Sequence, residues 1–214
     1  MTATIWLVRH GETDWNASRR LQGSTDIELN ALGQRQAESV AQHFRTIRFD
    51  AIYSSPLVRT AQTALPLARQ QQLPLLQETA LAERDFGVFQ GLTPDDIAAA
   101  FPDDFRRWQA REPDFCPLHG ESLRDFQTRV KGVLEKIARA HSNQTIAVFS
   151  HGGVLDIIYR LAKRLDLQVP RDWPIPNAGI QRLVGSPASF EIVEWGIIDH
   201  LRGPTARDEL PGIS

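Results

Sequence analysis

Thr4-Ile5-Trp6-Leu7-Val8 followed by Arg9-His10-Gly11-Glu12 reads as a buried strand that runs straight into a charged turn. The chain beyond it alternates short β-like runs with longer helical patterns. Asn30 is a good N-cap, and Ala37, Val40, Ala41 and Phe44 follow at the spacing of an amphipathic helix. Asp50–Ser54 reads as a second strand. Ser55-Pro56 then places a capping serine before a proline at the first helical position, with the helix running to about Gln70. Leu73–Leu76 is a third short strand. Phe126, Val130, Val133, Leu134 and Ile137 mark a long helix with one apolar face, and Thr145–Phe149 is a fourth strand. Gly152-Gly153 opens another helix through about Ala162. Ile180–Val184 and Phe190–Trp195 form two late strands whose short connection suits an antiparallel hairpin at a sheet edge. This alternation argues for a sheet flanked by helices.

Two segments break the rhythm. Leu92 to Gly120 holds Phe101, Phe105, Trp108 and Phe115 among charges and prolines, and is expected to be an inserted pair of short helices. Its aromatics either pack those helices or touch substrate. The tail from about Arg202 is polar and contains Pro and Gly, as expected of a loosely held terminus.

The bulk properties bound the function. A length of 214 residues fits one sizeable domain. A formal charge of −2 gives no sign of a nucleic-acid or membrane partner. Apart from Lys131, Lys136 and Lys163 the cations are arginines, which suit bidentate contact with phosphate or carboxylate; high-GC coding explains the same skew as well. Cys116 is the only cysteine, so no intrachain disulfide is possible, which fits a reducing compartment. The first residues show no basic segment followed by an apolar run, so no signal peptide and a cytoplasmic location are expected.

Three strand ends carry matched polar chemistry. They are Arg9-His10-Gly11-Glu12, then Ser54-Ser55-Pro56-Leu57-Val58-Arg59 with Arg59 in a first helical turn, and Ser150-His151-Gly152-Gly153. In open α/β sheets ligands bind beyond the carboxyl ends of strands. If these strands are parallel neighbours, Arg9, His10, Arg59 and His151 converge into a strongly cationic pocket whose natural occupant is a phosphoryl group. Gly11, Gly152 and Gly153 let the backbone approach such a ligand. A helix opening near Gly152 would aim its positive end at it.

At these residues the chain resembles the histidine phosphatase superfamily, the phosphoglycerate-mutase-like fold. The likeness lies in Leu7-Val8-Arg9-His10-Gly11-Glu12-Thr13-Asp14-Trp15-Asn16, Arg20-Leu21-Gln22-Gly23 and Ser54 through Thr63. It continues in Leu81-Ala82-Glu83-Arg84-Asp85-Phe86-Gly87, Gly120-Glu121-Ser122 and Ser150-His151-Gly152-Gly153. The blocks fall in the family's order over nearly the whole chain. The fold so implied is α/β, a three-layer α/β/α sandwich whose central sheet is mostly parallel with an antiparallel edge strand. It forms a single domain over residues 1–214, with a lid-like insertion at about 92–120.

The resemblance implies a double displacement in which neutral His10 attacks phosphorus and forms a phosphohistidine. Arg9, Arg59 and a protonated His151 would hold the equatorial oxygens. Glu83 would protonate the leaving oxygen and then activate water. Asn16, Gln22, Gly23 and Gly152 match positions near the phosphoryl group, and Arg84 and Phe86 would line the pocket. A backbone carbonyl is expected to fix the His10 tautomer. No metal and no cofactor are called for, since the six histidines show no close pair spaced for zinc.

Plainer readings stand beside these. Glu83 can simply pair with Arg84 or Arg59, and Gln22 can be a loop residue. His43, His141 and His200 read as solvent-facing or structural, His119 beside the 120–122 block either reaches the pocket or does not, and Cys116 reads as inert. The expected partner is a small phosphorylated metabolite, with no nucleic acid and no membrane, and the protein a monomer or homodimer. Phosphatases and phosphoglycerate mutases share the phosphohistidine. A mutase also needs cations for the substrate carboxylate, and the insertion offers only Arg106, Arg107 and Arg111. A regulatory phosphate-binding module is the remaining alternative, against which stands the retention of His10 and Glu83.

Overall fold

Strand β1 (Ala3–Arg9) alternates Ile5 and Leu7 toward one face with Trp6 and Val8 toward the other, and all four are buried. A strand apolar on both faces needs cover on both. In the computed structural model, which describes residues 2–201, the rest of the chain supplies that cover. Helices α1 (Asp14–Ala17) and α2 (Ala31–His43) precede β2 (Ala51–Ser54), α3 (Val58–Gln71) and β3 (Leu75–Gln77). The short helices α4 (Pro94–Ala100) and α5 (Pro102–Gln109) follow. Then come α6 (Leu123–Ala140), β4 (Thr145–Ser150), α7 (Gly152–Lys163), β5 (Ile180–Ser186) and β6 (Ser189–Ile197). The tail from Arg202 lies outside the described residues.

The sheet order is β3-β2-β4-β1-β5-β6. The first four strands are parallel, with Arg9 level with Ser150 across β1 and β4, and Ser54 level with Phe149 across β2 and β4. Strand β5 runs antiparallel to β1 and to β6. The expected hairpin is therefore at the sheet edge, with the reversal carried by β5, second from that edge. Trp6, Val8, Ile52, Ala147 and Phe149 pack under α2 and α3; Ile5, Leu7, Ala51, Ile146 and Val148 pack under α6 and α7. The result is three layers.

Sequence reading misplaced the start of α3. Its N-cap is Leu57, with no side-chain cap, and not Ser55. The Ser55 hydroxyl is committed elsewhere, as described below. Arg59 nonetheless falls in the first turn, as expected.

The inserted segment forms the expected pair of short helices, and its aromatics share a small separate core with Leu21, Phe86 and Phe89. Leu21, Phe86, Phe89, Ile97 and Phe115 are buried together, with Phe101, Phe105 and Trp108 against them. The rings meet at 5.7 to 6.4 Å. These aromatics pack the insertion's helices and join them to Phe86 and Phe89 ahead of it. Arg111 ties it to the body by donating to Asp156 Oδ2 at 2.7 Å and to the Leu167 carbonyl at 2.6 Å. Asp156 also pairs with the fully buried Arg160 at 2.9 Å.

Candidate active site

Strand β4 lies between β1 and β2, so the ends of three parallel strands open side by side. The chain goes from β1 to β2 over one face and returns to β4 over the other, leaving a crevice at the carboxyl edge. His10 follows β1 directly, and its N–H donates to the Ser150 carbonyl at 3.0 Å. His151 follows β4 as the N-cap residue of α7. Their ring centroids are 5.3 Å apart, and both side chains are buried. Arg9 ends β1, and a Cβ placed on Gly152 would lie 3.5 Å from its guanidinium. Arg59 reaches in from α3 with no exposed surface. The four residues expected to converge do so.

His10 Nδ1 sits 2.7 Å from the Gly11 carbonyl oxygen. A carbonyl only accepts, so Nδ1 carries the proton and Nε2 the lone pair. This is the expected tautomer lock, and it comes from the next residue in the chain. Gly11 is itself fixed: its N–H donates to Thr63 Oγ1 at 2.9 Å. Burial holds the His10 pKa well below 6.5, and the charges of Arg59 and Arg9 push it the same way. The ring is therefore neutral at neutral pH, with its lone pair on Nε2.

His151 departs from expectation. Burial first, then Arg59, His10, Arg9 and Arg129, hold its pKa well below 6.5, so the resting pocket contains a neutral imidazole and not an imidazolium. The positive charge comes from the arginines. Arg59 donates through Nη2 to the Gly23 carbonyl at 2.7 Å and through Nη1 to the Thr25 carbonyl at 2.8 Å. Gly23 has a φ of 55°, and a Cβ there would lie 2.0 Å from Gln90 Oε1, so glycine is required for this loop to wrap the guanidinium. Burial pulls the Arg59 pKa down to about 10, which leaves it charged at neutral pH.

Glu83 is half-buried beside the pocket. Its Oε1 accepts from the Arg84 N–H at 2.9 Å and its Oε2 from the Gly153 N–H at 3.0 Å. Of the plainer reading of Glu83, pairing with Arg84 or Arg59, the first half does not hold, because the Arg84 guanidinium turns away to the carbonyls of Glu121 and Phe115, while the Glu83 charge does act on Arg59. Gly153 is the residue that admits the carboxylate: a Cβ there would stand 2.3 Å from Glu83 Oε1. Gly153→Ala should therefore keep the fold but push Glu83 aside. If Glu83 is the acid that the resemblance implies, steady-state kinetics on alkyl phosphates should show kcat reduced by about 100-fold.

The remaining expected residues divide. Gln22 is buried and its Oε1 accepts from Thr13 Oγ1 at 3.0 Å. Asn16 caps α1 with Thr13, and its Oδ1 accepts from Asn177 Nδ2 at 3.3 Å. Both border the His10 loop. Arg84 and Phe86 do not line the pocket: Phe86 belongs to the insertion's core and Arg84 stitches that core to the 121 backbone. Chain adjacency to Glu83 placed their backbones near the site but not their side chains. His119 is exposed. His141 bonds Tyr53 and Gln144, and His200 lies within reach of the Ala178 carbonyl, so both are structural, as read.

Two residues that the sequence did not single out, Arg129 and Asn177, and a third that it read as a helix cap, Ser55, build the site from behind. Arg129 donates to the carbonyls of Ala80 and Ala82 at 2.9 Å each and pairs with Glu121, holding the loop that presents Glu83. Asn177 donates to the His10 carbonyl at 3.0 Å. Ser55 Oγ lies 2.8 Å from His151 Nε2. The block Gly120-Glu121-Ser122 thereby acquires physical roles, with Glu121 as the partner of Arg129 and Ser122 as the N-cap of α6.

This geometry has known relatives. The family model described as histidine phosphatase superfamily (branch 1) matches residues 5–198. Phosphoserine phosphatase 1 of Hydrogenobacter thermophilus is 40% identical over 196 residues, spanning 91% of this chain and 92% of its own. Phosphoglycerate mutase-like protein 4 of Arabidopsis thaliana is 34% identical over 204 residues, spanning 93% and 87%. The solved structure of phosphoserine phosphatase from Entamoeba histolytica in complex with 3-phosphoglyceric acid matches with a TM-score of 0.82 at 28% identity. That match covers 93% of this chain and 99% of the other.

Proposed function

The chain belongs to the histidine phosphatase superfamily, and from that premise we propose that it is a metal-independent phosphomonoesterase working through a phosphohistidine at His10. The observation that carries the reading is the His10 ring. It is buried and neutral, its Nδ1 proton is held by Gly11, and Arg9 and Arg59 are beside it. Two guanidiniums supply the fixed charge that a phosphoryl group needs, on which phosphoryl transfer mainly depends.

In the first step the His10 Nε2 lone pair forms the N–P bond while the ester P–O bond breaks. The leaving oxygen takes the proton from Glu83. In the second step water attacks phosphorus, Glu83 takes the water's proton, and the N–P electron pair returns to His10. Asn16, Gln22, Gly23 and Gly152 frame the phosphoryl group. The lid-like role of residues 92–120, the single domain and the cytoplasmic location belong to the same proposal. The sole cysteine supports the last of these.

The arginines bear on the acceptor. Arg106 pairs with Asp103, Arg107 with Glu112 and Arg111 with Asp156. All three insertion cations that could have held the carboxylate of a phosphoglycerate are engaged elsewhere, which favours water over a second substrate. Because relatives carry the name phosphoserine phosphatase, O-phosphoserine is the substrate to try first. Release of inorganic phosphate from it supports the proposal. Isomerisation of 3-phosphoglycerate with a trace of 2,3-bisphosphoglycerate, without phosphate release, would make the protein a mutase. Inertness to a broad panel of phosphoesters would make it a binding module.

Glu83→Gln tests the acid. An alkoxide leaving group needs a proton and p-nitrophenolate scarcely does. Turnover of O-phosphoserine should fall by about 100-fold or more, and that of p-nitrophenyl phosphate by under about tenfold. Equal losses would reduce Glu83 to a structural role.

A further inference from the structure

Ser55 is fully buried and is not the helix cap that its position suggested. Its Oγ accepts from the Leu57 N–H at 3.3 Å and lies 2.8 Å from Nε2 of the equally buried His151. The hydroxyl proton must go to an acceptor in so enclosed a place. Ser54 directs its own hydroxyl to the Ser55 carbonyl at 2.7 Å, and Thr60 directs its hydroxyl to the Leu57 carbonyl at 2.6 Å, with the Ser55 carbonyl at 3.1 Å. The acceptor that the geometry offers is His151 Nε2. A neutral imidazole that accepts at Nε2 carries its proton on Nδ1, and His151 Nδ1 is buried with no hydrogen-bond partner among the described residues.

We propose that Ser55 is a positioning residue that sets the tautomer of His151, so that His151 meets the phosphoryl group as a neutral Nδ1–H donor. The inference rests on the pocket being a phosphoryl site. It changes what His151 does there. The groups facing it from the packed elements are Arg9 on β1, His10 after it, Arg59 on α3 and Arg129 on α6. Glu83, the nearby carboxylate, is occupied by the N–H groups of Arg84 and Gly153. A further positive charge among these cations would be repelled. A neutral donor instead completes the oxygen contacts without taking up a proton, and the buried N–H that has no partner at rest gains one when the phosphoryl group binds.

The test is the ring itself. Protein labelled with ¹⁵N-histidine and free of ligand is recorded near pH 7 by two-bond ¹H–¹⁵N correlation, with His151 assigned from its loss in His151→Gln. The expected pattern is a protonated Nδ1 and an unprotonated Nε2. Ser55→Ala should bring in the Nε2–H tautomer and weaken orthovanadate binding by about tenfold, the scale of one buried hydrogen bond. Ser55→Thr should restore both. A wild-type ring protonated at Nε2, or at both nitrogens, overturns the proposal even if Ser55→Ala does not fold. So does a Ser55→Ala protein that keeps the wild-type pattern and affinity. Trapping of a phosphohistidine at His10 in the wild type reports separately on the phosphatase reading, so a wrong tautomer with intact labelling sinks only the role of Ser55.

Discussion

His10→Ala is expected to hydrolyse O-phosphoserine and p-nitrophenyl phosphate at least about 10⁴-fold more slowly than the wild type, the scale seen when a covalent nucleophile is removed. Brief mixing of wild type with ³²P-labelled substrate, followed by denaturation, should give a phosphoenzyme that is acid-labile and base-stable. The variant should give none. Structure should survive the change. The ring's hydrogen bond is to the adjacent Gly11 carbonyl, and the backbone N–H that bonds Ser150 is untouched. The pocket's cations also remain, so orthovanadate should still bind. Turnover near the wild-type rate in a folded His10→Ala protein would remove the whole double displacement, since no other imidazole has a free lone pair placed beside both arginines. His151 is committed through Nε2 to Ser55.

Arg59→Ala carries the second large effect, and it acts on stability and activity together. The guanidinium is fully buried, and it satisfies the carbonyls of Gly23 and Thr25. Deleting it strands two acceptors at about 1–3 kcal/mol each, so unfolding by urea should report a loss of about 3 kcal/mol. The catalytic loss should exceed what that destabilisation explains. Arg59 Nε is buried without a hydrogen-bond partner among the described residues, beside His10 and His151, and removing one such preorganised donor costs about 10²–10³ in rate. Arg59→Lys should recover little of either. An ammonium has no fork to span two carbonyls and still face the phosphoryl oxygens. A variant that loses stability but keeps kcat/KM would make Arg59 a brace for the 22–26 loop and nothing more.

His10 and Arg59 are residues that a strand-and-turn pattern already exposes. Arg9, His10, His151 and Arg59 were legible because Arg9 ends a strand, His10 and His151 each follow a strand end directly, and Arg59 lies five residues beyond one, where chain direction alone sends side chains toward the carboxyl edge. Glu83 carried no such local signal, and its placement depended on the resemblance. Arg84 and Phe86 were misread for the same reason, since an irregular segment sets no side-chain direction. Arg84 swings to Phe115 and Glu121, while Glu83 swings to Gly153. Arg129 and Asn177 were missed, and Ser55 was read as a cap, because their partners lie 47, 167 and 96 residues away along the chain.

By itself, then, the sequence determined the layered architecture and the chemistry delivered to one edge of the sheet. Apolar periodicity and glycine placement are local properties, readable wherever a strand ends and a helix begins. The tertiary structure alone decided the protonation states and the partners. Two imidazoles that would be partly charged in water are neutral here because burial and two guanidiniums surround them. One is held by the next carbonyl in the chain, the other by a serine from a neighbouring strand end. A pKa and a tautomer are set by everything within a few ångströms, and in this pocket those neighbours come from β1, β2, β4, α3 and α6 at once.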